Sequence, residues 1–339
     1  MLHETAPGAH EEGRVYRGDK LTLPNGGSVA TVEGMDRSPG DSADNRADIR
    51  DFLASRRAKI APEQIGLPTS GRRRVPGLRR EEVAVLAGVS TEWYIRLERG
   101  HISGVSEDVL DAVAQALKLD EDERTYLFDL ARAAQPARRA TRRKDVPVPP
   151  RVQWLLDSMT MSSAFVRNGR MDIMAHNALA RAVHAPMFDS ATTSEYGRAN
   201  IARFHFLDPV ARHFFVDWEA ACHATVALLR AEAGREPHDR ALRELIGELS
   251  TLSPEFRKQW AAHDVRIRHD GVKRLRHPEA GDLELTYQSL DLPLSNRALH
   301  DLTIYTAEPA TRSEEQLRLL ASWTAPQPQA PTKQPRHTT

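Results

Sequence analysis

The chain has 339 residues, of which 40% are hydrophobic and 28% charged, and its 47 basic residues balance its 47 acidic ones. That length suits two ordinary domains plus tails, and the composition is that of a globular protein. A single cysteine, Cys222, excludes an intramolecular disulfide and cysteine-based zinc sites, and a net charge of +0 requires any nucleic-acid affinity to come from one locally basic region.

From the N-terminus, residues 1–45 read as a disordered extension, because Gly, Ser, Asp and Pro dominate and no helical or strand period persists. Met35 is expected to be the natural start; an intact mass that includes Met1 to Gly34 would refute this. The polar segment with His3, Glu4, His10, Glu11 and Glu12 has no apolar h-region, and no apolar run reaches the ~18 residues of a membrane span. A cytoplasmic protein is expected.

Residues 46–135 read as an all-α domain of five helices. Ile49, Phe52 and Leu53 mark the first, Val83, Ala84 and Ala87 the second, and a short third follows Ser90. The fourth covers about 106–118, with Val109, Leu110, Val113 and Leu117, and the fifth about 121–134, with Leu127, Leu130, Ala131 and Ala134. Asp120 and Glu123 have the spacing of a capping box before the fifth.

The informative stretch is Leu78 to Gly100, LRREEVAVLAGVSTEWYIRLERG. Small apolar residues let two short helices cross closely, Gly88 permits a sharp turn, and Ser90 caps the next helix. Tyr94 and Leu97 then face inward. This pattern is that of a helix-turn-helix, whose second helix enters the DNA major groove. Thr91, Glu92, Trp93 and Arg96 are the candidate base readers: arginine matches guanine, glutamate accepts from cytosine, and tryptophan packs on a thymine methyl or a sugar. Ser90, Arg79, Arg80 and Arg99, with the loop arginines Arg72, Arg73 and Arg74, are placed at backbone phosphates. Glu98 is expected to pair with an arginine of its own domain. For Trp93, packing within the bundle is an equal alternative.

Residues 136–150 form a linker, basic from Arg138 to Lys144 and broken by Pro136, Pro147, Pro149 and Pro150. Residues 151–322 read as a second, α+β domain. Ala164 to Arg167, Asn168-Gly169 and Arg170 to Met174 predict a hairpin with a tight primed turn. Two long helices follow, one through Phe214, Trp218, Cys222 and Leu229, the other through Leu242, Leu245 and Leu249. Strands return where Leu283, Leu285 and Tyr287 alternate with polar residues, and again at Leu302 and Ile304. Strand, strand, helices and three strands is an antiparallel sheet with helices to one side, and a sheet of that order wrapped over helices resembles a PAS-type sensor fold. Residues 323–339 read as a disordered tail.

The segment from about Asp48 to Ala134 resembles the Cro/repressor-type helix-turn-helix domain of the xenobiotic-response-element (XRE) family. With VLDAVAQALKLDEDERTYLFDLA, and with ARFHFLDPVAR, DWEAACHATVALLRAEAGR and LTIYTAEPATRSEEQLRLLASW further on, the chain is similar to actinobacterial regulators that carry a MmyB-like second domain. The resemblance implies a transcription regulator that binds double-stranded DNA, with a PAS-like ligand-binding domain and a fatty acid as the ligand class. Met171 and His176 stand where the family usually carries tryptophans, which leaves the ligand here open.

An apolar pocket with few polar anchors is the form such a site takes. Candidate wall residues are Met171, Ile173, Phe204, Phe206, Phe214, Trp218 and Trp260, beside His176; Arg203, Arg257 and His263 are candidate anchors for a carboxylate. The alternative is that each apolar residue is plain core and each arginine a surface or structural salt bridge. The histidines 205, 213 and 223, and 263, 269 and 277, form no metal motif, and no nucleophile elbow or phosphate loop occurs. No catalytic residue, metal or cofactor is expected. The reading is a homodimeric regulator on a near-palindromic operator; a second domain that only dimerises, or docks a protein partner as an antitoxin does, is the alternative.

Overall fold

The structure, a computed structural model, describes residues 39–66, 77–135, 147–194, 197–294 and 299–324. Met35, Arg72, Arg73, Arg74, the basic run from Arg138 to Lys144 and the tail after Thr324 lie outside the described residues. No helix among the described residues is long and apolar enough to cross a membrane.

The first domain is built from α1 (Pro39–Lys59), a 3-10 turn (Pro62–Ile65), α2 (Arg80–Leu86), α3 (Thr91–Glu98), α4 (Glu107–Ala116) and α5 (Glu121–Ala133). Local chemistry fixes several boundaries. The Trp93 amide donates to the Ser90 hydroxyl at 3.1 Å and starts α3. The Glu123 amide donates to Asp120 at 3.0 Å and the Asp120 amide to Glu123 at 3.2 Å, a reciprocal cap on α5. Gly88 takes φ +65° between α2 and α3, where a Cβ is disfavoured. Ile49, Phe52 and Leu53 of α1 meet Val83, Tyr94, Leu97, Leu110, Val113 and Leu127 in one core. Full burial of each large side chain contributes roughly 1.5–3 kcal/mol.

One boundary is corrected. The polar stretch before residue 46 is helical from Pro39. Proline is preorganised for a first helical turn, and Asn45, buried, donates to the Leu130 carbonyl at 3.4 Å, tying α1 to α5.

The second domain opens with α6 (Pro150–Ser158), then the hairpin of β1 (Ser163–Arg167) and β2 (Ile173–His176). The helical layer follows: α7 (Ala178–Val183), α8 (Ala185–Phe188), α9 (Ile201–Leu207), α10 (Val210–Phe214), α11 (Trp218–Arg235), α12 (Arg240–Leu252) and α13 (Pro254–Trp260). Strands β3 (Asp270–His277), β4 (Gly281–Pro293) and β5 (Leu299–Thr306) complete the sheet before α14 (Arg312–Thr324). The sheet is antiparallel in the order β2-β1-β5-β4-β3, so the first and last strands in sequence pair at its middle.

The predicted alternation of β4 holds: Leu283 and Leu285 are buried while Glu284, Thr286 and Gln288 face solvent. Phe165, Leu275 and Tyr305 join them on the inner face, against Leu179, Phe204, Phe214 and Leu317 of the helices. On the outer face α6 lays Val152 and Leu156 over Ala164, Val166 and Leu302. A third cluster, with Val226, Leu229, Leu242, Leu249 and Phe256, binds α11, α12 and α13 together.

The hairpin turn differs from the expected form. Gly169 does not take a positive φ; Met171 does, at +67°. A primed two-residue turn needs positive φ at its central residues. Here the Asn168 side chain accepts from the amides of Arg170 at 3.0 Å and Asp172 at 2.9 Å, and the loop spans 168–172. The side-chain bonds of asparagine compete with a backbone turn and win.

Candidate DNA-binding face and ligand domain

Tyr94 and Leu97, both buried, fix the rotation of α3 about its axis. Its other side exposes Glu92 and Arg96, with Thr91 half-buried and Arg99 exposed just beyond the helix. Among the described residues no ion pair engages Glu92, Arg96 or Arg99. Trp93 is half-buried against the core of the bundle, so only part of its ring is left for DNA. Ser90 spends its hydroxyl as an acceptor on the α3 cap. Arg79 is exposed at the start of α2, 3.7 Å from Glu81.

Arg80 is placed differently. Its Nε and Nη2 donate to Glu98 at 3.1 and 2.9 Å, and Arg57 of α1 grips the same carboxylate bidentately at 3.0 and 2.9 Å. Glu98 is only 2% exposed. Burial works against its charge, yet the two guanidinium groups hold its carboxyl below the usual range. The pairing expected for Glu98 therefore ties α1, α2 and α3 together. Half of the Arg80 side chain remains exposed beside that pair.

In the second domain Ile173, Phe204 and Phe214 meet on the inner face of the sheet, with Trp218 at the margin. Two buried histidines share this space. The His184 ring lies 5.0 Å from Tyr305 and 5.6 Å from Phe165, and His205 hydrogen-bonds Thr225 at 2.8 Å. Burial pushes His184 down to about 4 and His205 to about 3, so both are neutral at pH 7. The interior is aromatic, the charge of nearby Lys273 adds to the lowering of both rings, and the His184 Nδ1 is buried without a hydrogen-bond partner.

The other sequence candidates lie elsewhere. Met171 belongs to the cluster of α11 and α12. His176 packs on Phe188 at 4.6 Å, and Phe206 on Phe256 at 5.1 Å. Trp218 donates its Nε1–H to the His205 carbonyl at 3.0 Å. Arg203 pairs with Glu248 at 2.7 Å, which removes it as a free anchor, and Arg257 points into solvent. Trp260 and His263 sit where the two domains meet.

The comparisons with known proteins agree with this architecture. The profile described as MmyB-like transcription regulator ligand binding domain matches residues 148–320, and one described as helix-turn-helix domain matches residues 51–127. The chain belongs to the MmyB-like family of transcription regulators. It is a DNA-binding regulator with a ligand-binding domain. No curated protein matches it at a significant level.

The joint between the domains of this MmyB-like chain is a feature that sequence reasoning missed. Arg230 of α11 is fully buried. It stacks over the Trp260 ring at 4.0 Å, meets His263 Nδ1 at 3.0 Å, donates to the Trp260 carbonyl and lies 4.0 Å from Asp48 of α1. Burial, then the Arg230 charge, lowers His263 to about 4, so it accepts from the guanidinium as the neutral ring. From the other side Arg56 donates to Glu123 at 2.5 Å, to the His263 carbonyl and to Asp264 at 3.3 Å. The chain at His263 has φ +53°, unusual outside glycine. At the end of α11, Gly234 presses on the ring of Tyr126 in α5: a Cβ there would stand 2.5 Å from Tyr126 Cε2. The signals were present as Gly234 within a helical stretch and Arg230 directly after the apolar pair Leu228-Leu229, in LLRAEAGR.

Proposed function

We propose that this regulator reads its operator with α3. Thr91, Glu92, Trp93 and Arg96 meet base edges, while Ser90, Arg79, Arg80, Arg99 and the loop arginines Arg72, Arg73 and Arg74 hold phosphates. Two copies act as a homodimer on half-sites about 10 bp, or a multiple, apart. The second domain holds a small apolar or amphipathic molecule, fatty-acid-like, that biases operator binding. It does so only if it prefers one domain arrangement, since equal affinity for both shifts nothing.

The observation that supports this reading is a division of faces. The ligand domain packs on α5 through α11 and reaches α1 through Arg230, while the exposed residues of α3 stay clear of that joint. A change in the second domain thus reaches the helix bundle without covering its DNA side. The aromatic inner face suits an apolar occupant.

The test is native mass spectrometry of the purified protein, organic extraction of what it carries, and titration of labelled operator with and without that compound. A released fatty-acid-like molecule that shifts operator affinity is the expected result. Protein that carries nothing, and whose operator affinity no lipid alters, refutes the ligand class and leaves DNA binding intact.

A further inference from the structure

A groove of about 1110 Å³ opens between the domains. The ends of α1 and α4 form one wall; α11, the 264–268 segment and β3 form the other. Its apolar lining includes Ala220, Ala224 and Ala227, spaced along one side of α11, and the Tyr287 ring.

The groove is rich in charge, and most of that charge is matched. Arg56 pairs with Glu123, Lys59 with Asp264 at 2.6 Å, and Arg266 with Asp120 at 3.2 Å. Lys118 donates to the Gln64 carbonyl at 2.7 Å instead, and Lys273 and Arg268 are the remaining exceptions. Among the described residues neither has a carboxylate within ion-pair distance. Asp217, whose field reaches Lys273, is held bidentately by Arg274 at 2.7 and 2.9 Å. Asp270 is exposed at the start of β3. The half-buried Lys273 ammonium has the Tyr287 ring 5.6 Å away. Its pKa lies below the ordinary lysine value through burial first, with repulsion from Arg268 adding to it. Two neighbouring cations that lack an anion, beside an apolar wall, are complementary to a molecule carrying both.

We propose that this groove binds an organic anion with an apolar body, its charged head on Lys273 and Arg268 and its body along the α11 alanines. The inference rests on reading the second domain as a ligand sensor, and it moves the anionic end of the ligand from the aromatic interior to the joint. The consequence is direct coupling. An occupant of this groove touches α1 and α4 of the DNA-binding domain as well as α11 and β3, so its affinity depends on how the domains are docked. By linkage it stabilises that docking by the same factor.

The probe is 8-anilinonaphthalene-1-sulfonate, a rigid apolar anion, with the uncharged N-phenyl-1-naphthylamine as its control. Fluorescence titration of the full chain is expected to show saturable binding of the sulfonate at least tenfold tighter than that of the neutral compound. Lys273→Gln/Arg268→Gln is expected to weaken the sulfonate at least tenfold and leave the neutral compound unchanged. Ala224→Phe, which fills the wall without touching the charges, is expected to weaken both. Urea unfolding of each variant confirms that it is folded. Equal affinity for the two probes, or a sulfonate affinity unmoved in a folded double variant, overturns the proposal. A natural ligand that co-purifies equally with the native and double-variant proteins also overturns it, while sparing the sensor reading. Loss of sulfonate affinity in the variant, with no natural molecule that alters operator binding, supports the groove and counts against the sensor reading.

Discussion

Gly234→Ala tests the domain joint by its sign. In an isolated α11 the change favours the folded helix by at most about 1 kcal/mol, because alanine loses less backbone entropy than glycine. At the joint the new Cβ would stand 2.5 and 2.7 Å from the Tyr126 ring. That ring has no room to retreat: it is 2% exposed and packs edge-on against Phe52 at 5.1 Å. Overpacking of this kind costs typically 1–3 kcal/mol. The net effect therefore runs from near neutral to a loss of about 2–3 kcal/mol, taken from docking rather than from either fold. Differential scanning calorimetry of the native chain is expected to give one transition, and Gly234→Ala a lower onset with the two domains beginning to separate. Tyr126→Leu removes the clashing edge. In that background Gly234→Ala is expected to be neutral or stabilising, a coupling that a double-mutant cycle reads directly. If Gly234→Ala stabilises the otherwise native chain, α11 is not packed on α5 through this contact.

Three further outcomes are expected. Arg96→Ala lowers operator affinity by roughly 1–3 kcal/mol and relaxes preference at one base pair, read by titrating a panel of operator variants; an unchanged profile removes Arg96 from base reading. Arg79→Ala weakens all sequences alike and reduces the salt slope by about one unit, whereas Arg80→Ala also lowers the stability of the first domain, because Glu98 keeps only Arg57. Equal unfolding midpoints for the two variants would contradict the shared Glu98 pairing. His184 and His205 bind protons less readily folded than unfolded, so their contribution is complete above about pH 6.5 and falls with pH toward about 4, by up to about 1.4 kcal/mol per pH unit each. Urea unfolding at neutral and mildly acid pH reads this, and His184→Phe is expected to flatten the dependence.

The parts of this protein governed by near neighbours are legible in its sequence. Ser90 three residues before Trp93, Asp120 three before Glu123, and Gly88 between two short helices each specify a boundary through a bond or dihedral that the segment makes with itself. The order of strands and helices limits the second domain to one simple layered sheet. Where local signals compete, reading fails by a small margin: Asn168-Gly169 marks the hairpin, but the asparagine side chain and Met171 set its turn. The candidate wall residues are the least legible, because Met171, Phe206 and Trp260 share the composition of Ile173, Phe204 and Phe214 and only topology assigns them to a different cluster.

The joint lies beyond local reading because its members are far apart in sequence; Arg56 reaches Glu123 and Asp264, and Arg230 approaches Asp48. Its composition carries an argument about regulation. An apolar seam would lock the domains together, whereas this one buries Arg230 with its Nε unpartnered and its nearest carboxylate 4.0 Å away. Desolvating such a charge costs several kcal/mol, against which stand stacking on Trp260 and bonds to His263, the Trp260 carbonyl and the Tyr126 hydroxyl. Docking is thus a small difference between large opposing contributions. An equilibrium so balanced responds to a ligand worth about 1–3 kcal/mol of coupling. Arg230→Met is expected to tighten docking, since methionine keeps much of the contact with Trp260 without the buried charge, and thereby to blunt any effect of ligand on operator affinity. Unchanged ligand responsiveness in a stably folded Arg230→Met variant would place the regulatory switch somewhere other than this joint.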